Sequence, residues 1–237
     1  MPAHRLLGRL LRHRGDKEAQ RQLALRAVES LDHDLDGSIV LDLGCGPGYA
    51  TKELERRGAS VVATDLSVQE LPRGHEALAM TFVSDGQSLP CGEHSFDGIF
   101  CSNVLEHTPD PNAVIDEIVR VLRPGGWAYV SWTNWLSPWG GHAIGPFHYL
   151  GPDRGLRAYR RLFGEPKGKN LPYDGVWPTY IGSVLAHVNS RADLHLHAVE
   201  PRYYPRLRGL MKVPGLREVA AWNCVLRMTK SDGHVSG

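Results

Sequence analysis

Three glycines two residues apart, Gly44, Gly46 and Gly48, stand in Leu41-Asp42-Leu43-Gly44-Cys45-Gly46-Pro47-Gly48-Tyr49, between an apolar run and a helix-like one. Glycine there lets the backbone turn tightly and lets a ligand press on it with no Cβ in the way. An acid, Asp65, ends the next apolar run, where a carboxylate can accept both hydroxyls of an adenosine ribose. The competing pattern is the dinucleotide fingerprint G-x-G-x-x-G, which seats a pyrophosphate on a helix N-terminus. In this chain the third glycine comes one residue early and Tyr49 occupies the position that fingerprint requires. A nicotinamide-dependent oxidoreductase is therefore kept as the alternative of a different class.

Proton-transfer chemistry is offered by three histidines. His107 closes Asn103-Val104-Leu105-Glu106-His107, while His142 and His148 fall in a Trp-, Gly- and Pro-rich stretch from Trp135 to Tyr149. Imidazole changes charge near neutrality, which suits it to take a proton from an alcohol.

The elements that must position these groups alternate. Ser38–Leu43 reads as a strand and Tyr49–Arg57 as a helix closed by Gly58. Ala59–Asp65, Met80–Asp85, Phe96–Asn103 and Trp127–Trp132 read as four further strands, with a weaker helical stretch broken by Pro72 and Gly74 before the third. Asp110 is a natural N-cap and Pro111 a natural first helical residue; Val114, Ile115, Ile118, Val119 and Leu122 form an apolar stripe that Arg123-Pro124-Gly125-Gly126 stops. Asp193–Val199 and Trp222–Thr229 supply two more strands. Strands alternating with helices imply an α/β fold with a mostly parallel sheet covered on both faces. The glycine turn, His107 and the aromatic stretch then share the C-terminal edge of the sheet, where ligands bind in open α/β folds.

The rest of the chain divides around this core. Residues 1–36 predict a helical cap, with Leu6, Leu7, Leu10 and Leu11 on one face among Arg5, Arg9, Arg12 and Arg14. Residues 37–133 are the cofactor-binding core, 134–192 an irregular lid over the substrate, 193–229 the strands that complete the sheet and 230–237 a tail. At 237 residues one large domain can bury a full core. A formal net charge of +1 gives no reason to expect nucleic acid as a partner. Cys45, Cys91, Cys101 and Cys224 are widely spaced, so reduced thiols are expected. With no apolar leader segment in the first thirty residues and no apolar run long enough to span a membrane, the expectation is a cytoplasmic protein.

Four segments in order, LDLGCGPGY followed by Asp65, then SDGQSLP, FDGIFCSNVLEH and VLRPGGWAYVS, resemble the class I S-adenosylmethionine-dependent methyltransferases without a break across residues 38–133. The resemblance implies a Rossmann-like sheet of seven strands, the last antiparallel. It implies that the backbone around Gly44, Gly46 and Gly48 holds the methionine end of S-adenosylmethionine and that Asp42 orients its ammonium through water. Asp65 would bind the ribose with Leu66 against the adenine, Asp85 and the Gly86 amide would meet the adenine edge, and Ser102 and Asn103 would border the sulfonium. Glu106-His107 also resembles part of a divalent-metal site of quinone-type O-methyltransferases, but the further acid three residues before the glutamate is replaced here by Asn103, so no metal is expected.

With a methyl donor implied, a hydroxyl acceptor would need a base: His142 is the first candidate, His148 the second and His107 the alternative. The segment GGHAIGPFHYLG, with PRYYP further on, resembles a bacterial subgroup whose substrates the motifs do not disclose. Tryptophans beside polar groups in the lid suit a carbohydrate or glycosylated acceptor. A lipid or quinone-like acceptor is the alternative, favoured if the Leu/Arg-rich N-terminal helix lies on a membrane surface. Oligomeric state is not legible.

Overall fold

The structure is a computed structural model and describes residues 17–67, 69, 80–167 and 170–232. The Leu/Arg-rich stretch of residues 1–16, the helical stretch at Pro72 and Gly74, and the tail from residue 233 lie outside the described residues.

Seven strands pair in the order β3-β2-β1-β4-β5-β9-β8. They are β1 (Ile39–Leu43), β2 (Ser60–Asp65), β3 (Thr81–Val83), β4 (Phe96–Ser102), β5 (Leu122–Thr133), β8 (Leu194–Pro201) and β9 (Asn223–Lys230). The first five are parallel, and β9 runs antiparallel between β5 and β8. This is the Rossmann-like α/β sheet expected from the sequence.

Strand parity sorts the core into two layers. Leu41, Ile99, Cys101, Val130 and Trp132 face one layer, together with the buried stripe Val114, Ile115, Ile118 and Val119 of α3 (Pro111–Val121). Val40, Phe100, Tyr129 and Val225 face the other, with Val28 of α1 (Lys17–Glu29) and Leu54 of α2 (Tyr49–Arg56). Asp110 caps α3 by accepting from the amides of Asn112 and Ala113, with Pro111 at the first helical position. Arg57 just past α2 closes the end of α1, donating to the carbonyls of Val28 (2.6 Å) and His33 (3.1 Å). Lys230 at the end of β9 does the same for α3, reaching the carbonyls of Val119 (2.6 Å) and Leu122 (2.8 Å).

Three features differ from the sequence reading. β5 starts at Leu122, directly after α3, and Arg123-Pro124-Gly125-Gly126 lies within a bulge where the register against β4 breaks between Phe96 and Gly98. The segment after β5 holds more regular structure than expected: α4 (Pro152–Phe163), the two-residue strands β6 (Leu171–Pro172) and β7 (Gly175–Val176), and α5 (Ile181–Ser190). Of these, α5 belongs to the core, because Ile181, Val184, Leu185 and Val188 make a buried stripe on the same layer as α3. Its first amides, Ile181 and Gly182, are capped by Glu218 at 3.0 and 2.6 Å. Thirdly, a 3₁₀ segment (Pro205–Lys212) and α6 (Leu216–Ala220) intervene between β8 and β9.

All four cysteines are free thiols, three of them buried. Among the described residues no helix is long and apolar enough to cross a membrane.

Candidate active site

The turn after β1 is built for close approach. The amides of Gly44 and Cys45 both donate to the carbonyl of Thr64 on β2 (2.8 and 3.0 Å), which folds the loop back over the sheet edge. Gly44 has φ +73, and a Cβ there would come within 2.3 Å of Val104 Cγ2. Gly46 has φ +50, but a Cβ there would project into open space, the side from which a ligand can reach the backbone. Gly48, also left-handed, is the N-cap of α2 and contributes no side-chain cap, so the first amides of α2 are left for a ligand.

Asp65 draws this turn and β2 together: Gly46 N donates to Oδ2 (3.0 Å) and Ser67 N to Oδ1 (3.2 Å). Leu66 beside it is 67% exposed, an uncovered apolar surface next to the carboxylate. Strand parity turns Asp42 under α2, where it is buried and accepts from Thr51 Oγ1 at 2.5 Å. Burial pushes its carboxyl up to about 7, against the opposing pull of the Thr51 hydroxyl. Asp85 is exposed and engaged by Gln87, whose amide (2.9 Å) and side-chain Nε2 donate to it. Next to it, Gly86 lies over Leu43 of β1.

At the tip of β4, Asn103 takes φ +61, a left-handed conformation asparagine tolerates better than most residues. Its amide donates to the carbonyl of Ser131 (2.8 Å), and its Oδ1 accepts from Arg202 Nη1, Asn223 Nδ2 (3.3 Å) and Ser131 Oγ (3.5 Å). Ser131 Oγ also reaches Ser102 Oγ at 3.3 Å. Ser102 and Asn103 thus join one polar network with β5, β9 and Arg202. Arg202 and Thr51 were not read from the sequence as site residues. Their only signals were the PRYYP segment and a threonine in the first turn of α2.

The segment after β5 is stitched to the loop after β4. Trp177 N donates to Glu106 O (2.8 Å), Thr179 Oγ1 to Leu105 O (3.4 Å), and His107 Nδ1 to the carbonyl of Gly175 (2.5 Å). Since a carbonyl only accepts, Nδ1 carries a proton, and Nε2 is the ring nitrogen left for another partner. The ring of His142 meets that of His107 edge-on at 5.3 Å, and its Nδ1 lies 3.1 Å from Gly140 O. His148 is placed differently from the expectation. It is 0% exposed, its Nε2 lies 2.9 Å from Ser137 O, and its ring packs edge-on against Trp135. A ring enclosed in this way belongs to the packing of the segment after β5, not to an exposed acceptor side as the sequence reading expected.

Trp132 and Trp135 are likewise core residues, whereas Trp139 is half-buried and meets Tyr203 and Trp222 edge-on at 5.7 and 5.0 Å. Glu106 is 1% exposed; its Oε1 accepts from Thr133 N (2.8 Å), and Oε2 accepts no hydrogen bond from the described residues. Among the described residues no three His, Cys, Asp or Glu side chains converge as a metal site would need.

A seven-stranded sheet with its last strand antiparallel, a glycine turn open at Gly46 and an acid bonded across it define a nucleoside-cofactor enzyme of the Rossmann-like class. A family profile described as "Methyltransferase domain" matches residues 41–130. An uncharacterized methyltransferase of Mycobacteroides abscessus is 37% identical over 81% of this chain and 76% of its own length. One from Mycolicibacterium vanbaalenii is 39% identical over 80% and 75%. The crystal structure of an S-adenosylmethionine-dependent methyltransferase from Mesorhizobium loti superposes with a TM-score of 0.57 at 22% identity, covering 87% of this chain and 96% of that one. The chain belongs to the class I S-adenosylmethionine-dependent methyltransferases, and S-adenosylmethionine is its cofactor. The nicotinamide-dependent alternative is thereby set aside. The open face at Gly46, the uncapped start of α2 and the Asp65 carboxylate fit that cofactor's methionine and ribose.

Proposed function

We propose that this methyltransferase acts on a hydroxyl of a small polar acceptor, a carbohydrate or glycosylated metabolite, with His107 as the general base and the segment from residue 134 to 180 as the acceptor lid. The observation that carries this is the His107–Gly175 hydrogen bond, which fixes the ring and leaves Nε2 as its basic atom at the seam between the β4 loop and the lid. His142, expected first from the sequence, becomes the neighbour that packs against that ring.

The bound cofactor supplies an activated methyl group on a sulfonium. On the protein side, the network of Ser102, Asn103 and Ser131 orients the β4 tip, and His107 Nε2 takes the hydroxyl proton as the oxygen–carbon bond forms and the carbon–sulfur bond breaks. Support for a sugar-like acceptor comes from the half-buried Trp139 and the exposed rings of Tyr149 and Tyr173 on the lid. Such flat faces beside hydrogen-bonding groups suit stacking on a sugar ring.

The test is label transfer from S-adenosylmethionine to a panel of monosaccharides and glycosides, read beside cofactor titration. His107→Ala should cost about 10²–10⁴ in turnover with little change in S-adenosylhomocysteine affinity. His142→Ala should cost less. Near-parental turnover of His107→Ala would remove the base, and the acceptor would then be a nitrogen, a thiol or an already acidic hydroxyl.

A further inference from the structure

Under α1, on the layer that holds Tyr129, lies a cavity of about 250 Å³. Its wall continues into the site: Tyr203, which lines it, packs against Trp139 of the lid, and Arg202, which also lines it, reaches Asn103 at the tip of β4. Three arginines line it, Arg26, Arg202 and Arg227, and among the described residues one acid, Glu200. That carboxylate is committed to Arg227, 3.5 Å away. Arg227 is further held by Ser30 Oγ (2.8 Å) and by the Tyr129 ring, 5.4 Å below its guanidinium carbon.

Among the described residues the other two cations are not balanced. There Arg202 donates only to neutral oxygens: Asn103 Oδ1, Ser131 Oγ (3.4 Å) and Leu23 O (3.3 Å). Arg26 has no acidic partner among the described residues. Two half-buried arginines with no counter-charge among the described residues, at the wall of one cavity, attract an anion, and the planar fork of arginine matches carboxylate and phosphate oxygens.

We infer that this cavity binds an oxyanion carried by the methyl acceptor, a carboxylate or a phosphate ester, on Arg26 and Arg202, with the acceptor's body against the rings of Tyr129 and Tyr203. The acceptor is then an anionic hydroxylated small molecule, such as an acidic or phosphorylated sugar, whose free hydroxyl lies toward the β4 tip. This rests on the reading of the chain as a hydroxyl methyltransferase for polar small molecules and narrows it to anionic ones.

The experiment uses the full chain saturated with S-adenosylhomocysteine and titrated calorimetrically with D-glucuronate, D-glucose 6-phosphate and D-glucose. At least one of the two anionic sugars should bind at millimolar concentration or better and more tightly than glucose, and the stronger of the two distinguishes carboxylate from phosphate. Arg26→Gln and Arg202→Gln should each weaken that binding about ten- to a hundredfold, the loss expected for one charge-assisted contact. Arg202→Lys should recover part of it, and Glu200→Gln, which releases Arg227, should strengthen it. S-adenosylhomocysteine affinity should stay unchanged in Arg26→Gln and Glu200→Gln, neither of which touches the β4 tip. Equal binding of glucose and the anions, no anion binding, or undiminished anion binding in both glutamine variants would overturn the inference and leave methyl transfer standing. A loss of S-adenosylhomocysteine affinity in Arg26→Gln would also overturn it, because that arginine would then serve the cofactor. Failure of the parent to bind S-adenosylhomocysteine would instead defeat the methyltransferase reading itself.

Discussion

Asp42 makes cofactor affinity depend on pH in a direction that can be worked out beforehand. With its carboxyl pushed up to about 7 by burial, the ligand-free protein carries it half protonated at neutral pH. If Asp42 faces the ligand's ammonium, binding favours the ionised form and returns the group toward the ordinary carboxylate range. A proton must then leave on binding, about half of one per molecule at pH 7. Affinity should fall about fiftyfold between pH 7 and pH 5, roughly 2.3 kcal/mol, the slope steepening toward tenfold per unit as the pH drops. Above about pH 8 the ligand's own α-amino group loses its charge, so affinity should peak between 7 and 8.

The stability linkage has the opposite sense for the ligand-free protein. A folded carboxyl raised above the ordinary value of 3.8 favours folding below that value, and this advantage is lost as pH rises toward about 7. The measurement is calorimetric titration of S-adenosylhomocysteine from pH 5 to 8 in two buffers of different ionisation enthalpy. Adenosine, which lacks the amine, serves as the control that should show no slope, and Asp42→Asn should flatten the profile. Thr51→Val, which removes the donor that favours the ionised form, should move the midpoint upward. A flat profile in the parent, or the same slope in Asp42→Asn, would refute the argument.

Asp65→Ala should weaken S-adenosylhomocysteine binding by about 1–3 kcal/mol, since the ribose hydroxyls would lose their charged acceptor; unchanged affinity by calorimetry would take Asp65 out of the site. Gly46→Ala and Gly44→Ala should separate binding from folding. The first meets nothing within 4 Å and should cost about 1–2 kcal/mol of backbone strain while sharply weakening the cofactor, whereas the second collides with Val104 and should lower the melting temperature more. Glu218→Ala should uncap α5 and lower stability by about 1 kcal/mol, a melting shift of about 2–4 °C, with cofactor affinity unaffected.

Where a local signal fixes an element, the sequence was sufficient to read it. Asp110 and Pro111 marked the start of α3, and they are its cap and first residue. The glycines, Asp42 and Asp65 could be placed because strand, turn and helix follow one another within a short span. The α5 helix escaped because its N-cap is not a Ser, Thr, Asp or Asn: Tyr180 stands there, and the capping carboxylate comes from Glu218, far along the chain. The histidines were sorted by burial, which neither spacing nor residue type encodes. His148 and His142 share one glycine-rich stretch, yet one is enclosed under Trp135 and the other lies against His107. Arg202 was hidden for a similar reason: its value lies in reaching Asn103, a partner 99 positions earlier.

The place of β9 between β5 and β8 has a consequence for biosynthesis. Among the described residues the strand that completes the sheet, β9, follows every other strand in chain order, and until it is synthesised β5 is left with one flank unpaired. That flank includes Ala128, Val130 and Trp132, a run with high strand propensity. Nascent chains stalled or truncated before residue 223 would carry an adhesive open strand alongside an otherwise formed glycine turn. Such fragments should be prone to aggregation and dependent on chaperones, and a peptide spanning residues 223–230 supplied in trans would be the natural reagent to rescue their solubility.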